Sequence, residues 1–358
     1  MPSETYNRGL HRIAMLAAAA TFPLIFLGGL VTSHQAGLAV PDWPNSFGYN
    51  MFLFPPRYWD GGIFFEHTHR LWASVVGMIC IVLCAWAWWT DSRRLIRGLA
   101  TAVLAMVIVQ GILGGLRVIF KNLDLAMVHA CVAQAFFCLA ALMAVVTSRW
   151  WTTAPDLTKS EDAGHGRRLV IAAGATVAVV YCQLIVGAVM RHEKAGLAVP
   201  DIPLIYGRLV PPTTASELAS INSLRVWKLD LPAVTLGQIW LHYAHRVGAL
   251  VVSFFILGLV AHILLFHRRR RGLVSLALLL LGLLITQLVL GLATVYYKKP
   301  ADVASAHVAV GALVLMVSFV ITVAARRLYW PRAKQQLREL SDGLQASRTQ
   351  ASILSPQP

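Results

Sequence analysis

The chain has 358 residues, of which 57% are hydrophobic and only 13% charged, and its mean hydropathy is +0.64. Soluble domains carry about 25% charged residues, and apolar runs of the roughly 20 residues needed to cross a bilayer recur along this chain. A soluble globular protein is excluded. The formal net charge of +15 also fails to indicate nucleic acid, because the basic residues follow the loops of a membrane protein.

Eight apolar segments are expected to span the membrane, at residues 12–32, 63–89, 97–119, 124–147, 168–190, 236–266, 272–295 and 303–328. The first is too long for a signal-peptide core and has no small-residue cleavage site, so it should stay as an anchor. Basic residues collect in alternate loops: Arg8 and Arg12, Arg93 with Arg94 and Arg97, Arg149 to Arg168, Arg268 to Arg271, and Arg326 to Lys334. By the positive-inside rule both termini are cytoplasmic. The cysteines, Cys80, Cys84, Cys131, Cys138 and Cys182, all fall inside apolar runs, so no exported disulfide is expected.

The second segment opens on Glu66-His67-Thr68-His69-Arg70. Ionisable groups at membrane depth cost roughly 2.5–3.5 kcal/mol each on insertion scales, which marks them as functional. Glu66 and His69 share a helix face, whereas His67 points elsewhere. The sixth segment opens on His242-Tyr243-Ala244-His245-Arg246, with a histidine where the first copy has Glu66.

That likeness belongs to a duplication of the whole membrane part. Ala-Gly-Leu-Ala-Val-Pro-Asp occurs at residues 36–42 and again at 195–201, each after the first span of a half. Gln110 and Gly114 match Gln287 and Gly291, and Asp124 precedes His129 by the spacing at which Asp302 precedes His307. The fold expected is all-α: eight transmembrane helices as two tandem four-helix bundles, related by a pseudo-twofold axis along the membrane normal. The division is an N-terminal half at 1–151, a linker at 152–167, a C-terminal half at 168–330 and a cytoplasmic tail at 331–358, with a weak helical pattern at 333–344. The long loop at 191–235 has no readable fold.

Each half therefore carries two histidines, His69 with His129 and His245 with His307. Asp124 and Asp302 are read as N-caps, which puts all four near the outer helix ends. Paired imidazoles on different helices suit a heme clamped inside a bundle, and Arg70 and Arg246 are placed to meet its propionates. Zinc fits less well, since no third ligand is duplicated. His67, His262 and His267 have no counterpart in the repeat and are read as structural, and Gln110 and Gln287 as inter-helix hydrogen bonds. Trp86, Trp88 and Trp89 form an interfacial belt.

With these motifs the sequence resembles the heme A synthase family of cytochrome oxidase assembly. The resemblance rests on Glu-x-x-His-Arg at 66–70, the His-Arg pair at 245–246, His129, His307 and the Gly-Leu-Ala-x-x-Asp-Trp-Pro segment at 37–44. It implies an enzyme of the inner (cytoplasmic) cell membrane that oxidises the C8 methyl of heme O to a formyl group. It implies a heme b on His245 and His307, the substrate heme O at His69 and His129, and Glu66 as the catalytic group. Heme O synthase, a membrane electron donor or acceptor and a second copy of the chain are partners it would accommodate. The cysteine pair that some members carry in their outer loops is missing here. A di-heme b-type electron carrier and a heme transporter or chaperone are the alternatives. Glu66 speaks against the first, because electron transfer needs no acid, whereas a methyl oxidation releases protons that a carboxylate can take up.

Overall fold

The computed structural model describes residues 6–330; the tail at 331–358, with the helical pattern expected at 333–344, lies outside the described residues. The helices are α1 (Arg8–Ser33), α2 (Gly61–Thr90), α3 (Arg94–Ile119), α4 (Leu123–Val146), the short α5 (Arg149–Thr153), α6 (Ala163–His192), α7 (Ala215–Lys228), α8 (Leu236–Phe266), α9 (Arg271–Tyr296) and α10 (Ala301–Tyr329). Among the described residues eight of these are long and apolar enough to cross a membrane, all but α5 and α7. The fold is all-helical, with β pairing among the described residues limited to two isolated bridges. The expected spans match these helices to within a few residues. The largest difference is the start of α6, where helix already begins at Ala163 on the polar stretch expected to be linker.

The apolar side chains explain the packing. In the first half α1, α2, α3 and α4 each touch the next and α4 returns to α1; in the second, α6, α8, α9 and α10 close in the same order. Leu10, Ala14, Val76, Leu83, Ile96, Val103 and Met143 are fully or almost fully buried between the first four helices. Leu169, Ile256, Ile263, Leu280 and Ile321 do the same between the other four. The halves meet through α1 against α10, α4 against α10 and α4 against α6, where Ile25, Phe137 and Ala312 form a small shared core. This contact pattern is consistent with a parallel duplication. The helix most buried along its apolar window is α10, which touches both halves.

Two terminal details differ from expectation. Asn122, not Asp124, caps α4: its side chain accepts from the backbone N–H groups of Asp124 and Leu125. Asp302 lies in the first turn of α10, whose N-cap is Pro300. Asp and Asn cap equally well, so type alone cannot fix the register. The change is small: His129 sits about 9 Å inside α4, at 1.5 Å per residue from Leu123.

The loop at 191–235 contains α7, whose start is a capping box between Thr214 and Glu217. Ile221 of α7 packs with Ala195, Val199, Ile205 and Ile239. Its Arg225, 1% exposed, donates to the carbonyls of Leu197, Ala198 and Pro232. A buried guanidinium satisfied by carbonyls fastens α7 over the end of the second bundle.

Candidate functional site

The duplicated segments at 40–48 and 199–207 make the same hydrogen bonds. Asp42 accepts the N–H groups of Phe47 and Gly48, as Asp201 accepts those of Tyr206 and Gly207. Arg70 donates to the carbonyls of Asp42, Asn45 and Val40. Arg246 donates to those of Asp201, Leu204 and Val199, the same three positions of the repeat. Both arginines, expected to meet a cofactor's carboxylates, spend these donors on holding a loop against the bundle. Asp42 takes part electrostatically. Its burial would raise the pKa, but the amides of Gly48 and Phe47, with Arg70, hold it below the usual carboxylate range.

Glu66 and His242 occupy equivalent places in this frame. Glu66 is 1% exposed; its Oε2 accepts the Val40 N–H at 2.9 Å. Its Oε1 lies 3.1 Å from Arg70 and 3.6 Å from Arg117. Nδ1 of His242 receives the Val199 N–H at 3.3 Å and lies 3.0 Å from the Ala195 carbonyl. Each side chain thus tethers its loop, but only Glu66 brings a negative charge. Arg117 is peculiar to the first half, Thr294 standing at its place in the repeat. It donates to the Gly37 carbonyl and leaves a buried Nε without a hydrogen-bond partner.

The four duplicated histidines lie inside their bundles. The rings of His245 and His307 face each other with centroids 6.4 Å apart and planes at 68°. Nδ1 of His307 lies 3.1 Å from the Gln287 carbonyl, its acceptor when that nitrogen carries the proton, and the Gln287 side chain lies 3.3 Å from Nε2. Gln183 of α6 backs His245: its Nε2 donates to the His245 carbonyl at 2.8 Å and lies 3.1 Å from Nδ1. In the first half His69 is within electrostatic reach of His129 and Arg117. There neither Nδ1 has a partner at full hydrogen-bond geometry, and the acceptors that approach them are the backbones of Leu24 and Gln110. Gln110 donates only to the His129 carbonyl, at 3.3 Å.

The asymmetry has a sequence origin. Gln183 occupies the repeat position of Leu24, and Gly248 that of Trp72. A Cβ at Gly248 would stand 2.0 Å from Oε1 of Gln183, so the glycine admits the amide. In the first half the indole of Trp72 instead donates to the Ala20 carbonyl. Arg117 and Gln183 were both readable as breaks in the duplication, though neither belongs to a motif.

The unduplicated histidines have structural partners. His67 is buried, 3.1 Å from Ser46 Oγ and edge-on to Trp59 and Phe54. His262 lies 3.1 Å from the His165 carbonyl and His267 the same distance from the Tyr329 hydroxyl. The five cysteines are free.

The family described as "Cytochrome oxidase assembly protein" matches residues 60–319, a stretch that holds both His-Arg pairs, His129 and His307. Among similar proteins, the heme A synthase of Shouchella clausii is 28% identical over 300 residues, 81% of this chain and 87% of its own length. That of Shewanella oneidensis is 25% identical, over 83% of this chain and 90% of its own. That of Alkalihalophilus pseudofirmus is 24% identical, over 87% and 95%. With a match over more than two thirds of its length, laid on the helices that carry the duplicated histidines, the chain belongs to the cytochrome oxidase assembly protein family.

Proposed function

We propose that this chain is a heme A synthase, a multi-pass membrane oxidoreductase that converts the C8 methyl of heme O to the formyl group of heme A. The observation that carries the reading is a pair of duplicated imidazole sites of which one alone has a buried carboxylate beside it. The similarity to heme A synthases over most of the chain supports it.

The second half fits a resident heme b. Two metal–imidazole bonds of about 2 Å each, with each ring centre ~1 Å behind its nitrogen, set ring centres about 6 Å apart. His245 and His307 stand at 6.4 Å, on different helices, and a Nδ1-protonated His307 would offer Nε2 to a metal once the Gln287 amide, 3.3 Å from that nitrogen, turns aside. Heme b bound there supplies electron transfer. What the chain adds is orientation: the Gln287 carbonyl accepts from a protonated Nδ1 of His307 and Gln183 holds the backbone of His245, and such outer partners are worth about 10–100-fold in metal affinity at typical sites.

The first half is the substrate site in this reading. His69 and His129 receive heme O, and their more loosely held Nδ1 atoms suit a ligand that must leave as product. Glu66 holds a carboxylate one helical turn from His69, able to take up a proton released at the methyl, while Arg70 and Arg117 keep it in place. Arg70 and Arg246 serve their sites as posts for the covering loops. The two halves, 1–151 and 168–330, divide the work into chemistry and electron supply. The basic clusters at the end where α1 begins support an inner-membrane orientation with that end cytoplasmic and the duplicated loops outside.

The test is pigment analysis of the purified protein. Heme b together with heme O or heme A supports the synthase; heme b alone, with no conversion of added heme O under reducing and aerobic conditions, overturns it in favour of a di-heme electron carrier.

A further inference from the structure

Each of the four duplicated histidines lies edge-on against a glycine of the helix that precedes its own among the membrane spans. A Cβ built on Gly28 of α1 would stand 3.2 Å from Cε1 of His69, and one on Gly187 of α6 3.2 Å from Cε1 of His245. On Gly291 of α9 it would stand 3.1 Å from Cε1 of His307, and on Gly114 of α3 3.5 Å from Cε1 of His129. Gly28 and Gly187 are equivalent in the repeat, as are Gly114 and Gly291. The other glycines of these helices do not seat an imidazole: Gly98, Gly111, Gly174 and Gly282 have open space where a Cβ would go, and Gly29, Gly115 and Gly166 face Ser305, Trp43 and Tyr329.

We infer that these four glycines are positioning residues, seats that set the plane and depth of each heme-ligating imidazole; the inference rests on the ligand assignment proposed above. Small residues let helices approach closely in a membrane, and here the space is taken by a ring rather than by the opposing backbone. Cε1 lies between the two ring nitrogens, so a methyl group pressing on it moves the coordinating nitrogen directly. At 3.1–3.2 Å the ring must give by a few tenths of an ångström, whereas the 3.5 Å at Gly114 is ordinary contact. The seats of the second half are therefore tight on both sides of the heme. Those of the first are tight under His69 and slack under His129.

The experiment uses full-length protein purified with its heme. Gly187→Ala and Gly291→Ala are compared with Gly174→Ala and Gly282→Ala, substitutions in the same two helices at open positions. The readouts are heme b content, the largest g value of the oxidised low-spin heme, which follows the angle between the ligand planes, and its midpoint potential. The seat variants should shift the g value and the potential, or lose heme while keeping the parent's helical circular dichroism; the open-position variants should coincide with the parent. Seat variants that coincide with the parent in heme content, g value and potential overturn the inference. His245→Ala and His307→Ala run alongside: if either keeps a bis-histidine spectrum, the ligand assignment itself fails, whatever the glycines do. Should Gly291→Ala not accumulate, Gly187→Ala decides alone against Gly174→Ala.

Discussion

In the second half His245 and His307 look across at each other, and a glutamine backs each ring. In the first half, the Nδ1 atoms of His69 and His129 have only loose backbone partners, and an extra arginine that pairs with a buried carboxylate acts on His69. The loops above them are tied down by the same arginine-to-carbonyl bonds. A duplicated scaffold has thus kept its frame and diverged in what touches the rings. Tight fastening suits a group that stays and looser fastening one that comes and goes.

The strongest way to break this comparison is to remove the rings. His245→Ala and His307→Ala should abolish resident heme b, while His69→Ala and His129→Ala should leave it bound and lose the substrate heme. Absorption spectra and extracted pigments of the four variants decide it. Equal loss of heme b from both halves would erase the distinction.

Glu66 offers the next largest effect. Because it also anchors Val40 and Arg70, Glu66→Gln is a compromised probe: its amide would set an N–H among three donors, and breaking a buried charge pair costs about 3–5 kcal/mol. Glu66→His combined with Arg117→Thr is cleaner, since it copies the second half, where His242 tethers the equivalent loop through Val199 and Thr294 replaces the extra arginine. It should retain heme b and the loop yet lower heme A formation by about 10²–10⁴-fold, the usual range for a general acid–base group. A doubly substituted enzyme that turns over near the parent rate would show that no negative charge is needed at this place, and Glu66→Leu, which has no group to take a proton, turning over as fast per bound heme would leave the carboxylate as a tether only.

A smaller effect is expected from exchanging the fastenings. Gln183→Leu, which copies Leu24, should weaken heme b retention by about 10–100-fold and leave the substrate site unaltered, measured as heme loss to an apo-acceptor protein. Unchanged retention would show that the amide does not fasten the ligand.

Much of this architecture could be read in advance, for identifiable reasons. Hydrophobic length located the spans, and the exact repeat at 36–42 and 195–201 located the duplication. The histidines stood out because charge-capable groups are rare at membrane depth. The carbonyl partners of Arg70 and Arg246 did not stand out, since such carbonyls exist in every sequence and only the fold brings them within reach. The cap of α4 was misread because Asn122 and Asp124 offer the same chemistry two residues apart. The helix α7 carried a readable Thr-x-x-Glu signal at 214–217 that its proline-rich surroundings obscured.

That helix gives the smallest and most local contrast, because the first loop has no counterpart to it. Glu217 accepts the N–H groups of Thr213 and Thr214 and pairs with Arg208. The Thr213 amide first, then Arg208 and Thr214, bring its pKa down to about 2, against about 4.3 for a free glutamate. A depressed folded-state value means that Glu217 contributes its full share above about pH 4.3. That share is lost as pH falls from there toward 2. The group is exposed, so salt should weaken the effect. Amide exchange across α7 should accordingly rise as the solution is acidified through this window and less so at high salt, with Glu217→Gln flattening the dependence. Arg225 and Ile221 keep the rest of the helix docked, so the change should be confined to its first turns. Acid-induced exchange spreading equally through α7, or persisting in Glu217→Gln, would mean that the capping box is not what holds this end.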